Sequence, residues 1–123
     1  MVDAPDSRIP LTRLPDPQAL ADWLGQGGPA ALLTDAPQGV AGLVATERFD
    51  PRPLHRFGCA CCAGRSAAAV ALDRLFQARA RGRSPWFDRV AVLAGPAAEA
   101  QVAAALRDDA LTLARYRDTD IAG

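Results

Sequence analysis

Hydrophobic side chains occur along the chain in blocks that glycine and proline separate, and the continuous blocks predict strands. Residues 30–33 and 89–94 are largely apolar, as in parallel strands that are buried on both faces. Residues 9–14 predict a third strand, in which the proline fits only at a strand start or at a sheet edge. A shorter apolar stretch at 110–116 predicts a fourth strand, and residues 42–45 are a further candidate within a region that glycines and prolines break into loops.

Three other blocks carry hydrophobic residues three or four positions apart, which is the spacing of a helix with one buried face. The first helix is predicted to begin at the N-cap residue Asp16 and to end at Gly25. The second extends from the cap Ser66 to the stop signal Gly82, and the third opens at Gly95 followed by proline. The side chains predicted to face inward are Leu20, Trp23, Leu24, Ala68, Leu72, Leu75, Phe76, Val102, Ala105 and Leu106.

Strands and helices alternate along the chain, which is typical of a parallel sheet covered by helices. We therefore expect the α/β class, with a small, mainly parallel sheet of about four strands flanked by helices. A chain of 123 residues suits a single hydrophobic core. Residues 1–8 are predicted to form a flexible tail and residues 9–123 a single domain.

The charges of the chain balance, with 14 lysine plus arginine residues against 14 aspartate plus glutamate residues. Proteins that bind nucleic acid carry an excess of positive charge, so nucleic acid is not an expected partner. The arginines at positions 74, 79, 81 and 83 form one basic cluster, and a solvated helix end explains it better than a binding patch.

No stretch of the sequence approaches the roughly 20 apolar residues that span a bilayer. The first residues are acidic rather than apolar, unlike a secretory signal. We therefore expect a cytoplasmic protein that does not bind a membrane. Thiols stay reduced in the cytoplasm, so clustered cysteines there favour metal or redox chemistry over structural disulfides.

All three cysteines of the chain fall within one tetrad, as Cys59, Cys61 and Cys62. Thiolates are soft ligands that favour Zn(II), Cu(I) or iron–sulfur chemistry, and zinc is the metal we expect. Arg52, Arg56 and Arg65 lie close in sequence, and nearby cations favour the thiolate form that binds a metal. Redox chemistry and inert packing of small buried residues are the alternatives.

Structural zinc takes four ligands, so three thiolates leave one position for another donor. His55, the only histidine, precedes Cys59 by four residues and is the candidate within the chain. A lone histidine in a loop rich in proline and arginine is more often a solvated side chain. Water, a residue of a partner protein and a second copy of the chain are therefore the other candidates.

The segment Gly58-Cys59-Ala60-Cys61-Cys62 resembles the Gly-Cys-x-Cys-Cys loop of the CobW-type GTPase metallochaperones. Similar segments follow this loop at 65–75, 87–92 and 97–106 and precede it at 9–12 and 30–35. Asp35 lies roughly where that family carries an acidic residue after its second strand. The resemblance implies a partial P-loop-NTPase-like core and a role in handling a metal ion.

Two motifs of that family are replaced in this chain. The family's first strand leads into a glycine-rich phosphate-binding loop that ends in Gly-Lys-Thr, whereas this chain has Pro15-Asp16-Pro17-Gln18. The family's Glu-Thr-Thr-Gly segment is replaced by Leu93-Ala94-Gly95-Pro96, and its guanine-recognition Asn-Lys-x-Asp does not occur. The resemblance thus implies a shortened relative that keeps the metal loop, so neither GTPase activity nor a bound nucleotide is expected.

Functions from three classes fit these residues. The one we expect is a metal-binding accessory protein, a zinc buffer or carrier that passes its ion to a metal-receiving protein. A homodimer of the chain is also compatible with this function. The second is a pseudo-GTPase interaction module that regulates a complete relative, with Trp86 and Phe87 as a contact patch or as core anchors. The third is a thiol redox protein that uses Cys61 and Cys62, for which no second histidine is present as a base.

Overall fold

The computed structural model describes residues 8–36, 42–51 and 66–119, and it places five parallel strands in one sheet. The strands are β1 (Ile9–Leu14), β2 (Ala30–Thr34), β3 (Ala45–Arg48), β4 (Arg89–Leu93) and β5 (Tyr116–Asp118), in the spatial order β3-β2-β4-β1-β5. The helices are α1 (Pro17–Leu24), α2 (Ala67–Ala80), α3 (Pro96–Asp108) and α4 (Ala110–Arg115). The predicted class, a small parallel sheet flanked by helices, is confirmed, with five strands where about four were expected.

The two faces of the sheet carry cores of different size, because successive side chains of a strand point to opposite faces. On one face Leu33 and Val90 pack with buried residues of α2 and α3 in the main core. On the other face Leu32 and Ala91 pack with Leu20 of α1 in a smaller core. The apolar runs of β2 and β4 are continuous because both faces of these strands are covered.

The helix boundaries follow the predicted local signals. Ser66 Oγ accepts a hydrogen bond from Ala69 N at 3.1 Å and so caps α2. Gly82 ends the helix in the left-handed region at φ 71°, and Arg83 N donates to Ala78 O at 2.8 Å, as in a Schellman motif. Most side chains predicted to face inward are buried, and the partly buried ones are Trp23, Leu24 and Phe76.

The prediction of a strand at 110–116 is wrong, because this segment forms α4 followed by the short strand β5. Asp109 Oδ2 accepts hydrogen bonds from Thr112 N at 3.0 Å and from Thr112 Oγ at 2.8 Å, which starts a helix. Arg115 then binds Asp73 of α2 and stacks on Phe76 at 4.3 Å. Five of the six residues of α4 are alanine, leucine or arginine, which favour a helix, and the contacts with α2 hold that helix in place.

The strand predicted at 42–45 lies three residues later, as β3. Gly42 has a φ of 92°, a turn conformation that a strand does not allow. Only residue 45 of the predicted strand therefore belongs to the sheet.

The described residues test only part of two predictions, the flexible N-terminal tail and the absence of a membrane-spanning stretch. Of the predicted tail 1–8, only Arg8 is described, and its side chain donates to Leu113 O at 3.4 Å. Across residues 8–36, 42–51 and 66–119, no helix combines the length and the apolar character needed to cross a membrane.

Candidate functional site

The carboxyl ends of the five parallel strands meet at one edge of the sheet, here called the carboxyl edge. From β1 the chain crosses through α1 to β2 on one side, and from β4 it crosses through α3 and α4 to β5 on the other. Sheets of this kind bind ligands at the carboxyl edge, where neighbouring strands lead in opposite directions. The turns that follow β1, β2 and β4 contain Asp16, Asp35 and Gly95 and make up the described part of the candidate site.

Asp16 occupies the N-terminus of α1, which follows β1 after only two residues. Its Oδ1 accepts a hydrogen bond from Ala19 N at 2.8 Å. Pro17 holds the first helical position and has no N–H to offer a ligand. A carboxylate of the chain itself thus lies where the amides and the dipole of a helix attract an anion.

Asp35, which follows β2, places a carboxylate at the start of α3. Both of its carboxylate oxygens lie 3.3 Å from Gly95 N, the N-cap residue of that helix. A Cβ atom at Gly95 would lie 3.3 Å from Asp35 Oδ2, so the two turns approach closely. Thr34 fixes the end of β2, because its Oγ donates to Leu93 O at 2.7 Å and accepts from Ala36 N at 3.1 Å.

The connection between β3 and α2 carries the predicted metal ligands. Cys59, Cys61, Cys62 and His55 all lie between residues 52 and 65, outside the described residues. The described ranges 8–36, 42–51 and 66–119 hold no group of three or more histidine, cysteine, aspartate or glutamate side chains arranged for a metal.

The described ends of this connection both lie at the carboxyl edge, since β3 ends there and α2 begins there. One side chain from another helix reaches both ends. Gln101 of α3 accepts a hydrogen bond from Ala68 N at 3.3 Å through Oε1 and donates one to Pro51 O through Nε2.

Sequence reasoning missed Gln101, although a signal for it exists. The residue lies three positions after Ala98 and four before Ala105, and both alanines are buried in the main core. A polar side chain on the inward stripe of a helix needs hydrogen-bond partners, and here those partners are backbone groups.

Trp86 and Phe87, the predicted contact patch or core anchors, differ in their burial. Phe87 is fully buried in the main core, whereas Trp86 is 60% exposed. The Arg79 guanidinium carbon lies 3.6 Å from the centre of the Trp86 ring, and desolvation by partial burial lowers the pKa of Arg79. In the same basic cluster, Arg74 pairs with Glu47 at 3.7 Å.

Searches for similar proteins gave no significant match to any protein-family model, curated protein or solved structure.

Proposed function

We propose that this chain is a metal-binding accessory protein, a zinc buffer or carrier, that holds the ion through Cys59, Cys61 and Cys62. The observation that carries the proposal is the placement of all three cysteines of the chain in one tetrad. Three thiolates are a donor set suited to zinc, and they leave one coordination position open. His55 is the candidate fourth ligand within the chain, and a residue of a receiving protein could use the same position during transfer.

The fold supports this proposal through the place where the cysteine-containing connection is attached. Its two described ends lie at the carboxyl edge, which is where parallel α/β sheets carry their ligands. Pro51 and Ala68 are both hydrogen-bonded to Gln101, so the connection starts and ends at fixed backbone positions.

We further propose that the chain binds no nucleotide and hydrolyses none. Phosphate-binding loops combine free helix N-terminal amides with a lysine, and this chain contains no lysine. At the carboxyl edge the carboxylates of Asp16 and Asp35 accept hydrogen bonds from the backbone at the starts of α1 and α3. Negative charge at both positions repels a phosphate. The resemblance to CobW-type metallochaperones then fits a relative without a working nucleotide site, in which partner affinity, rather than GTP hydrolysis, drives metal transfer.

Equilibrium dialysis of reduced protein against zinc tests the proposal. We expect about one ion per chain, or one per two chains if a homodimer shares the site. The variant Cys59→Ser/Cys61→Ser/Cys62→Ser should bind none, since the neutral hydroxyl of serine is a poor zinc ligand. Binding that survives in this variant would overturn the assignment. Calorimetry with Mg-GTP should show no heat of binding, and a micromolar Kd would overturn the second part of the proposal.

The role of His55 is tested by zinc affinity as a function of pH. Thiols and imidazole must both lose a proton to bind zinc, so affinity falls as the pH drops. If His55 is a ligand, His55→Ala should bind zinc more weakly at about pH 7.5 and show a shallower pH dependence below about pH 7. Superimposable curves would exclude His55 and leave a three-thiolate site.

The exposure of Trp86 favours a second candidate function, a regulatory module that pairs with a complete CobW-type relative. A tryptophan that is 60% exposed and stacked on an arginine is typical of an interface residue. Titration of such a relative with this chain should then give saturable binding that Trp86→Ala abolishes. Equal binding by parent and variant would remove Trp86 from any such interface.

A further inference from the structure

The turn between α2 and β4 concentrates positive charge at the edge of the sheet opposite the carboxyl edge. Helix α2 begins at the carboxyl edge and β4 starts at the other end of the sheet, here called the amino edge, so the turn that joins them lies there. Residues 79–86 contain three arginines and no acidic residue, although the chain as a whole is neutral. The name amino-edge patch is used here for Arg79, Arg81, Arg83 and Trp86.

Arg79 is held between two aromatic rings. Its guanidinium carbon lies 3.6 Å from the centre of the Trp86 ring and 5.6 Å from the centre of the Phe87 ring. Phe87 is fully buried in the main core, whereas Trp86 is 60% exposed, so the stack runs from the core to the surface. A guanidinium stacked in this way has already lost much of its rotational freedom, and it can bind a partner at a lower entropic cost.

The charge of Arg79 lacks an acceptor in the described part of the chain. Its Nε is buried and has no hydrogen-bond partner there. Asp88, the next acidic residue along the chain, is exposed and does not pair with it, whereas Arg74 of the same helix pairs with Glu47 at 3.7 Å. Desolvation lowers the pKa of Arg79, so the cation is held at a cost that an incoming carboxylate would reduce.

The position of α2 accounts for only part of the patch. Cations near the C-terminus of a helix interact favourably with its dipole, which explains Arg79 and Arg81. Arg83 lies beyond the helix end at Gly82 and is exposed. The exposure of the Trp86 ring gains nothing from the dipole, so these two side chains point to a partner.

We propose that the amino-edge patch binds an acidic segment of a partner protein. A carboxylate of the partner pairs with the guanidinium of Arg79, an apolar side chain covers the Trp86 ring, and the exposed Arg81 and Arg83 attract further acidic residues. The proposal does not depend on zinc. It rests on the second candidate function only in placing Trp86 at an interface, and it adds the chemistry of the partner.

A nucleic acid fits the patch less well than an acidic segment does. Trp86 is the only exposed aromatic side chain in the described residues, and one of its faces is already covered by Arg79. Single-stranded nucleic acids are bound by successive aromatic platforms and by an excess of positive charge, and this chain is neutral.

The test uses fluorescence anisotropy of a labelled peptide of glutamate with leucine at every third position, titrated with the parent chain. A peptide with serine in place of glutamate and an oligothymidylate serve as comparison probes. A metal chelator is present throughout, so the outcome is separate from zinc binding. We expect the acidic peptide to bind with a micromolar Kd, as in a small transient interface, and to bind more tightly than either comparison probe.

Four variants locate the binding surface. Trp86→Ala and Arg79→Met should each weaken binding of the acidic peptide by about tenfold, because a stacked ring or a charged hydrogen bond is lost. Arg83→Gln should weaken it less and reduce its dependence on salt. The matched control is Arg48→Gln, which also removes one exposed arginine but at the carboxyl edge, and it should bind as the parent does.

Several outcomes would overturn the proposal. Failure of the parent to bind the acidic peptide would do so and would leave zinc binding and pairing with a complete relative untouched. Tighter binding of the oligothymidylate would assign the patch to nucleic acid. Equal losses in Arg48→Gln and Arg83→Gln would show attraction by overall charge alone. Self-association in sedimentation that Trp86→Ala abolishes would make a second copy the occupant. Should Arg79→Met not fold, Trp86→Ala decides, and binding equal to that of the parent contradicts the proposal.

Discussion

The β1–α1 and β3–α2 connections leave the same edge of the sheet and are built in different ways. The first consists of Pro15 and Asp16 alone, and Asp16 caps α1 by accepting a hydrogen bond from Ala19 N of the same helix. The second is long, and its two described ends are bonded to Gln101 of a third element, α3. Both helices therefore begin at a local cap, and the two described ends of the long connection are in addition bonded to a residue of another element.

This difference bears on which ligand the carboxyl edge can bind, a phosphate or a metal ion. A phosphate needs free amides at a helix N-terminus, and the β1–α1 connection supplies a proline and a carboxylate. A metal needs side-chain donors, and the β3–α2 connection contains three thiols. The contrast therefore favours a metal over a nucleotide.

The largest expected effect is a loss of stability when a buried leucine is removed from α1 or α2, the helices that follow the two connections. Leu72 of α2 is fully buried in the main core, and Leu20 of α1 is buried in the smaller one. Leucine-to-alanine substitution at either site should lower the free energy of unfolding by about 2–5 kcal/mol. We expect Leu72→Ala near the upper limit and Leu20→Ala near the lower, because the partly exposed neighbours Trp23 and Leu24 can relax into the space.

Chemical denaturation measures both free energies. Equal losses at the two sites would contradict the difference drawn between the two faces of the sheet.

The next largest expected effect is the loss of stability when Arg89 of β4 is replaced, because this side chain binds the C-terminal end of α1. Its guanidinium donates to Trp23 O at 2.7 Å, to Leu24 O at 3.1 Å and to Gly28 O at 2.9 Å, and it stacks on the Trp23 ring at 3.9 Å. Arg89→Ala should lower the free energy of unfolding by about 2 kcal/mol, since charged hydrogen bonds and a cation–π contact are lost together. Arg89→Lys should recover only part of this, because lysine lacks the planar fork. Denaturation curves in which lysine restores full stability would show that charge alone matters.

Removal of the caps of α1 and α2 should lower stability by a smaller amount, and it allows a direct comparison of the two connections. Asp16→Ala and Ser66→Ala should each lower the free energy of unfolding by about 1 kcal/mol. Their effects on zinc should differ, because Ser66 adjoins the cysteine-containing connection and Asp16 does not. We expect only Ser66→Ala to weaken zinc binding. A comparable loss of affinity in Asp16→Ala would remove the distinction between the two connections.

The ends of the helices could be predicted from the sequence because their signals are local. Asp16, Ser66 and Gly82 act on amides or carbonyls within a few residues of themselves. Helix α4 carries local signals as well, the cap Asp109 and the helix-forming residues at 110–115. The binding of Arg115 to Asp73 could not be predicted, because it depends on the approach of α2.

The candidate site shows the same division between local and distant information. The cysteine cluster is visible in the sequence because its members are adjacent. The two hydrogen bonds of Gln101 are not visible there, because their backbone partners come together only when α2 and α3 pack and β3 enters the sheet. The approach of Asp35 to Gly95 likewise depends on β2 and β4 being neighbours.

The smallest effect is a pH dependence at β3, the strand that leads into the cysteine-containing connection. Glu47 is partly buried, and this desolvation raises the pKa of its carboxyl above the ordinary value, while Arg74 at 3.7 Å lowers it by a smaller amount. The folded chain therefore holds this proton more tightly than the unfolded chain. The stability from Glu47 is present below the unfolded pKa and is lost as the pH rises through the raised folded value.

Glu47→Gln should consequently gain stability relative to the parent as the pH rises from about 4 to 7. Because the site is partly solvated, the gain should stay below about 1 kcal/mol. Denaturation of parent and variant across this range measures the difference, and Arg74→Met, which removes the opposing cation, should enlarge it. A difference between Glu47→Gln and parent that does not change with pH would show that burial of β3 leaves the carboxyl unaffected.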